Sequence, residues 1–264
     1  MRFRGIIPAV TTPFGPDGAV DTDALQANIN ALVDAGVHGI VGTGTMGEAG
    51  TLSSSERREV IAGVSAATPA LAIGYAADAA AAGAVAIMCL APLGYRGDDR
   101  EIEAFYAAVG DAAGLPLMVY NNPDASGVDM RAELIARIAD NVEHVVAVKE
   151  CSGDVRRIPA LLDATDAEIL VGGDDWALEG FCAGATGWVS GVAVVAPAEC
   201  VALYEHCHAG ELDAARYDPR GHALGVRVDG GEVALHKVTP AGHPAPRPEA
   251  DHRPPAAGDR PSAH

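Results

Sequence analysis

VVAVKECSG, residues 145–153, is a β-branched apolar run broken by one lysine and closed by Ser and Gly. Near-continuous hydrophobicity over a short span is what a strand covered on both faces shows, and the closing residues suit a strand-to-helix loop. The chain holds only two lysines, Lys149 and Lys237, against sixteen arginines, so a lysine inside such a run is hard to attribute to general composition. An ammonium facing a dry interior is poorly solvated, which favours the neutral and nucleophilic amine. Adjacent strand residues point to opposite faces, so Glu150 is not placed to neutralise it.

Seven further runs resemble this one: GIIPAVTTPF (5–14), GIVGTGT (39–45), ALAIGYA (70–76), VAIMCLAP (85–92), PLMVYNNP (116–123), EILVGGDD (168–175) and WVSGVAVVAP (188–197). Between them lie stretches with helical spacing, such as Leu25, Ile29, Leu32 and Val33, or Ile102, Phe105, Tyr106 and Val109. Ser53 followed by Glu56 reads as a capping box opening the second helix. Eight strands alternating with helices predict an α/β fold, a (β/α)8 TIM barrel over residues 1–218, with an open doubly wound sheet as the alternative. The alternative would place a phosphate-binding glycine loop after its first strand, and TTPFGPDG is not one.

Two places strain a regular barrel. Only AADAAAAG (76–83) separates the third run from the fourth, short for a parallel crossover, so the third helix should be a stub. Residues 219–264 hold eight prolines and no Phe, Trp or Tyr, and are expected to be a disordered tail. Within it GVRVDGGEVALH (225–236) could form a hairpin around Asp229 and Gly230.

Composition narrows the function. A net charge of −18 argues against nucleic-acid and anionic-membrane partners, which require clustered Lys and Arg. No apolar run approaches a membrane span, and the N-terminus lacks a cleavable signal, so a soluble cytoplasmic protein is expected. Five cysteines, none in CxxC spacing, suit a reducing compartment. His206, Cys207 and His208 are successive on a helix, about 100° apart, and cannot converge on a metal. Asp174 and Asp175 read as caps of the helix that follows them. Neither a dinucleotide nor a Walker motif occurs, so no cofactor and no metal is implied.

In a barrel, chemistry sits where strands end. Tyr120 ends the run before Lys149, and neighbouring parallel strands lie about 4.8 Å apart, close enough for a phenol to exchange protons with the amine. A packed core tyrosine is the competing reading. The glycine-rich turn GTGTMGEAGTLS (42–53) can present backbone N–H groups to an anion, with the Thr45 hydroxyl beside them, although such turns are often only tight connections.

In combination these segments are specific. GTGTMGE, YNNP and VAVKECSGD resemble, in order and spacing, the motifs of the dihydrodipicolinate synthase and N-acetylneuraminate lyase family, and GGDD and GWVSGVA resemble its seventh and eighth strands. The resemblance runs from residue 5 to about 218. It implies a class I lyase in which Lys149 forms an imine with a small 2-oxo acid, Tyr120 relays protons and Thr45 hydrogen-bonds the Tyr120 hydroxyl. It further implies that the turn at Thr45, Met46 and Gly47 binds the α-carboxylate, that Gly173 and Val189 line the pocket, and that the chain assembles as a homo-oligomer. The altered C-terminus weakens that last implication.

Departures bear on the substrate. Synthases of this family that use aspartate semialdehyde carry an Arg two residues after their YNxP motif, where Ala125 stands here. Met46 replaces the second Thr of their pair. Gly94 occupies the place of a second relay tyrosine, with Tyr95 one residue later. 4-Hydroxy-tetrahydrodipicolinate synthase activity is therefore disfavoured. The doubled Asn instead resembles branches acting on 2-keto-3-deoxy acids or pyrroline carboxylates by aldol cleavage, dehydration or deamination. Arg96, after the fourth strand, could meet a substrate anion or simply be solvated. The stub and the tail together read as a frameshift plus an internal deletion, so an idle relic is a rival, as is a binding barrel without turnover. Either defect would also lower stability.

Overall fold

The computed structural model describes residues 3–67, 70–73, 76–92, 96–216, 223–229 and 232–238. Each of the eight apolar runs contains or overlaps one strand: β1 (Gly5–Pro8), β2 (Ile40–Gly42), β3 (Ala70–Ile73), β4 (Ala86–Leu90), β5 (Leu117–Asn121), β6 (Val145–Glu150), β7 (Glu168–Val171) and β8 (Gly187–Ser190). They form one parallel sheet in the order β1-β8-β7-β6-β5-β4-β3-β2. A parallel bridge between Ala9 and Val41, with the Val10 N–H donating to the Val41 carbonyl at 3.0 Å, joins the first strand to the second and completes the ring. The fold is the expected (β/α)8 barrel.

The helices between the strands are α1 (Thr22–Asp34), α2 (Ser54–Ala67), α3 (Ala76–Ala81), α4 (Asp99–Ala113), α5 (Pro123–Ser126), α6 (Ala132–Asn141), α7 (Arg157–Ala164) and α8 (Ala177–Cys182). After β8 come α9 (Pro197–Ala209) and α10 (Leu212–Arg216). The third crossover is the anticipated stub, with α3 only 6 residues long. The Ser53 capping box forms: Ser53 N–H donates to the Glu56 carboxylate at 2.7 Å, and Glu56 N–H to Ser53 Oγ at 3.3 Å. Asp98 and Glu101 form a second one at the start of α4. On α1, Leu25, Ile29 and Leu32 are buried as predicted, but Val33 is exposed because the buried stripe is narrower than the sequence pattern.

Two apolar layers follow from strand alternation. Ile7, Val41, Met88, Met118, Ala147, Leu170 and Val189 fill the barrel interior. Ile87, Leu117, Val119, Val148, Ile169 and Trp188 face outward against the helices. A register shift at Leu117/Met118, where β5 pairs first with Val145 and then with Ala147, sets the phase of the β5–β6 seam. Past it, Met118 and Tyr120 stand beside Ala147 and Lys149, so the tyrosine and the lysine share the inward face.

The expected hairpin is present: β9 (Ala223–Asp229) pairs antiparallel with β10 (Glu232–Val238), Asp229 opposite Glu232. Turn residues 230 and 231 lie outside the described residues. So do residues 239–264, where disorder was expected, and Gly94 and Tyr95.

Candidate active site

Lys149 sits near the C-terminal end of β6 and is only 7% exposed. Tyr120 is its register partner on β5, and the Lys149 Nζ lies 4.1 Å from the centroid of the phenol ring. Burial lowers the Lys149 pKa from the ordinary lysine value, while the nearby Cys151 and Asp174 act in the opposite direction. Burial also raises the Tyr120 phenol to about 12, with a further contribution from Cys151 and an opposing one from Asn122. An amine inclined to lose its proton thus stands against a phenol inclined to keep one, a pairing suited to nucleophilic attack followed by proton donation.

Glu150 turns away from the pocket, as the alternation requires. Its carboxylate is wholly buried and accepts from Asn121 Nδ2 at 2.9 Å and from the Ser152 N–H at 2.6 Å. Asn121 in turn accepts from the Met130 N–H at 3.1 Å, tying the ends of β5 and β6 to the segment before α6. Behind Lys149 the backbone of β7 closes in. A methyl group at Gly172 would lie 2.7 Å from Cys151 Cβ and 2.9 Å from Lys149 Cε.

Asp174 corrects the sequence reading. The 3-10 turn Asp174–Trp176 has no side-chain cap, and Asp175 is exposed. The Asp174 carboxylate instead reaches over the end of β8, accepting from Ser190 Oγ at 2.9 Å and from the N–H groups of Gly191 and Val192, each at 3.2 Å. The cause is strand adjacency: β7 and β8 are paired up to Val171 and Trp188, so the residues just past them meet. Burial raises the Asp174 pKa, and these three donors and Lys149 offset part of that rise.

The remaining predicted residues are distributed around the same mouth. Gly47 is buried and its carbonyl accepts from the Thr12 hydroxyl at 2.8 Å. Met46 reaches across to Gly191, with its sulfur 2.7 Å from where a Gly191 methyl would be. Gly173 leaves room for the Trp176 indole, and Val189 is 1% exposed in the interior cluster against which Tyr120 packs. Thr45 is exposed, and it is Asn122 Nδ2 that donates to the Tyr120 hydroxyl, at 2.8 Å. Asn122 was missed as a site residue, although its place two positions after Tyr120 was the available signal. Arg96 is exposed near Gly127 at the end of α5. His206 pairs with Glu211 at 2.8 Å and His208 stacks on Tyr204 with ring centroids 4.1 Å apart, so the two histidines serve different contacts.

The family model described as the dihydrodipicolinate synthetase family matches residues 2–220. The chain belongs to that family. It is 34% identical over 216 residues to the 4-hydroxy-tetrahydrodipicolinate synthase of Methanothrix thermoacetophila, covering 76% of this chain and 73% of that one. The chloride-inhibited dihydrodipicolinate synthase of Acinetobacter baumannii complexed with pyruvate superposes with a TM-score of 0.75 at 30% identity, over 81% of this chain and 78% of that one. A catalytic-lysine mutant of the Ruminococcus gnavus sialic acid aldolase shares the fold, with a TM-score of 0.76 at 24% identity over 82% and 77% of the two chains. This chain is thus a family member of the lyase and synthase type. Among the described residues no helix is long and apolar enough to cross a membrane.

Proposed function

We propose that the protein is a lyase that forms an imine between Lys149 Nζ and the keto carbon of a small 2-oxo acid. The carrying observation is the buried Lys149 amine, registered against Tyr120 at the mouth of the barrel. The neutral amine adds its lone pair to the keto carbon, and the oxygen takes a proton to give a carbinolamine. Tyr120 protonates the hydroxyl as it leaves as water, and the resulting iminium withdraws electrons from the adjacent carbon. Where the next carbon bears a hydroxyl, the bond to it can then break toward the iminium as that hydroxyl gives up its proton, releasing an aldehyde and leaving an enamine that is reprotonated before hydrolysis releases the 2-oxo acid. The turn at Thr45, Met46 and Gly47 receives the α-carboxylate through backbone N–H groups, and Gly173 and Val189 bound the pocket.

The synthase name carried by the relatives favours condensation with an aldehyde bearing its own carboxylate. Against it stands Ala125, whose methyl is exposed and whose backbone N–H caps α5 by donating to Asn122 Oδ1 at 3.1 Å, with no charge to grip a second anion. We therefore favour cleavage, dehydration or deamination of a 2-keto-3-deoxy acid or similar substrate, with no cofactor beyond the imine. Incubation with pyruvate and borohydride, followed by peptide mass mapping, tests the reading. One reductively bound pyruvate on Lys149, lost in Lys149→Met, is the expected result. Reversible binding without any covalent adduct would instead make this a binding barrel. A panel of 2-oxo acids assayed for pyruvate, water or ammonia release then identifies the reaction.

A further inference from the structure

The Tyr120 hydroxyl accepts from Asn122 Nδ2 at 2.8 Å, and the orientation of that amide is not ambiguous. Asn122 is the N-cap of α5, and its Oδ1 accepts the Ala125 N–H at 3.1 Å. The oxygen end is thereby fixed toward the helix and the two amide hydrogens toward the phenol. Ser126 Oγ donates to the Asn122 carbonyl at 2.8 Å, and Pro123 at the first helical position restrains the backbone, so the cap is held from both sides. With one lone pair of the phenol oxygen occupied by an N–H, the phenol's own hydrogen must be directed elsewhere. Cys151 is close enough to influence both Tyr120 and Lys149 electrostatically.

We infer that Asn122 is a positioning residue for the reaction at Lys149: its capped amide fixes the Tyr120 phenol as a proton donor toward the pocket. The inference rests on the imine reading above and adds to it a residue that neither the motifs nor the family resemblance assigned. It also explains how the phenol is held when the Thr45 side chain, which the resemblance assigned to it, is exposed. Asn122 acts through Tyr120. In imine formation its N–H stabilises the phenolate oxygen left when the phenol gives its proton to the departing hydroxyl, and it releases that oxygen unchanged when the proton returns from water.

Two substitutions separate this role from helix capping, because Ser and Asp both serve as N-caps. Asn122→Ser keeps an acceptor for the Ala125 N–H but is too short to reach the phenol. Asn122→Asp keeps the cap and replaces the donor with a carboxylate, which accepts the phenol hydrogen and draws it away from the pocket. The rate of borohydride trapping with pyruvate is measured against pyruvate concentration and pH for the full chain and both variants, alongside thermal melts. The expected result is a plateau rate reduced roughly 10- to 100-fold in Asn122→Ser, with the half-saturating pyruvate concentration and the melt unchanged. Asn122→Asp should be slow relative to wild type at neutral pH and recover part of that ratio on acidification, since a protonated carboxyl can donate. A merely structural asparagine would not produce that acid rescue. Wild-type protein that is never trapped sinks the Lys149 reading and this role with it. Wild-type protein trapped on Lys149 while both variants match its rate and pH profile sinks the Asn122 inference alone.

Discussion

Replacing Asn121 by Leu should be strongly destabilising, because it leaves the buried Met130 N–H without its partner and takes from the buried Glu150 carboxylate one of its two hydrogen bonds. Asn121 Nδ2 donates to the Glu150 carboxylate at 2.9 Å and Asn121 Oδ1 accepts from the Met130 N–H at 3.1 Å, and all three residues are 0% exposed. A buried polar group left without a partner costs about 1–3 kcal/mol, more when charged, so Asn121→Leu should cost about 3–5 kcal/mol. Against a total stability of about 5–15 kcal/mol that is a large fraction. Glu150→Met leaves Asn121 Nδ2 and the Ser152 N–H unpaired and should cost about 2–4 kcal/mol. The double variant no longer contains the two groups that would miss each other, so its cost should fall short of the sum by about 1.5–3 kcal/mol. Urea unfolding followed by tryptophan fluorescence, with slopes compared across the cycle, provides the measurement. Additivity within about 0.5 kcal/mol, or a cost below about 1 kcal/mol for Asn121→Leu, would refute the claim that this pair clamps the end of β5 to the end of β6.

Lys149→Met should raise stability at neutral pH while abolishing trapping. Burial lowers the lysine pKa in the folded state, so between that value and the unfolded one the unfolded chain binds more protons and wild-type stability rises with pH. The advantage of the methionine variant should therefore be full below the folded-state pKa and shrink as pH approaches the ordinary lysine range. Urea midpoints over a pH series check it, and a growing gap would contradict it. Gly172→Ala and Gly47→Ala should separate two functions. The first places a methyl 2.8 Å from the Glu150 carbonyl and 2.9 Å from Lys149 Cε, so the plateau trapping rate should fall. The second places one 3.0 Å from the Val10 carbonyl under the turn proposed to receive the carboxylate, so the pyruvate concentration for half-maximal trapping should rise instead. Tyr106→Phe removes a hydrogen bond to the Cys89 carbonyl at 3.2 Å and should cost about 1 kcal/mol by urea unfolding without changing the trapping rate.

Hydrophobic runs made all eight strands legible, because a strand buried on both faces has no reason to alternate. The pairing of Tyr120 with Lys149 was legible too, since both residues lie near the ends of consecutive runs. What the sequence did not reveal is where polar side chains find partners. Alternation says that Glu150 leaves the pocket, but only the register of β5 against β6 brings it to Asn121. Local spacing made Asp174 a cap of the helix that follows it, whereas strand adjacency delivers its carboxylate to the turn after β8. Asn122 was read as a hint of substrate class, because its contact with Tyr120 depends on how a four-residue helix folds the chain back after β5. In each case one face of an element follows from its period, while the partner on that face depends on distant backbone.

The short third crossover invites the view that the barrel has lost its function, and the distribution of the site argues otherwise. Lys149, Tyr120, Asn122, Cys151 and Asp174 all lie on or just beyond β5, β6 and β7. The β5–β6 seam has five registered pairs, and α4 ahead of it is a capped helix of 15 residues. The stub lies between β3 and β4, and the neighbours α3 packs on most are α4, α2, β3 and β4. From the thinner side the proposed pocket draws the turn at residues 44–47, and that turn is anchored through the Thr12 hydroxyl just past β1. A short third crossover therefore thins the outer wall away from the residues proposed to react. An amine kept under desolvation opposite a phenol costs stability, and the half of the barrel that carries both is the half with its crossovers intact.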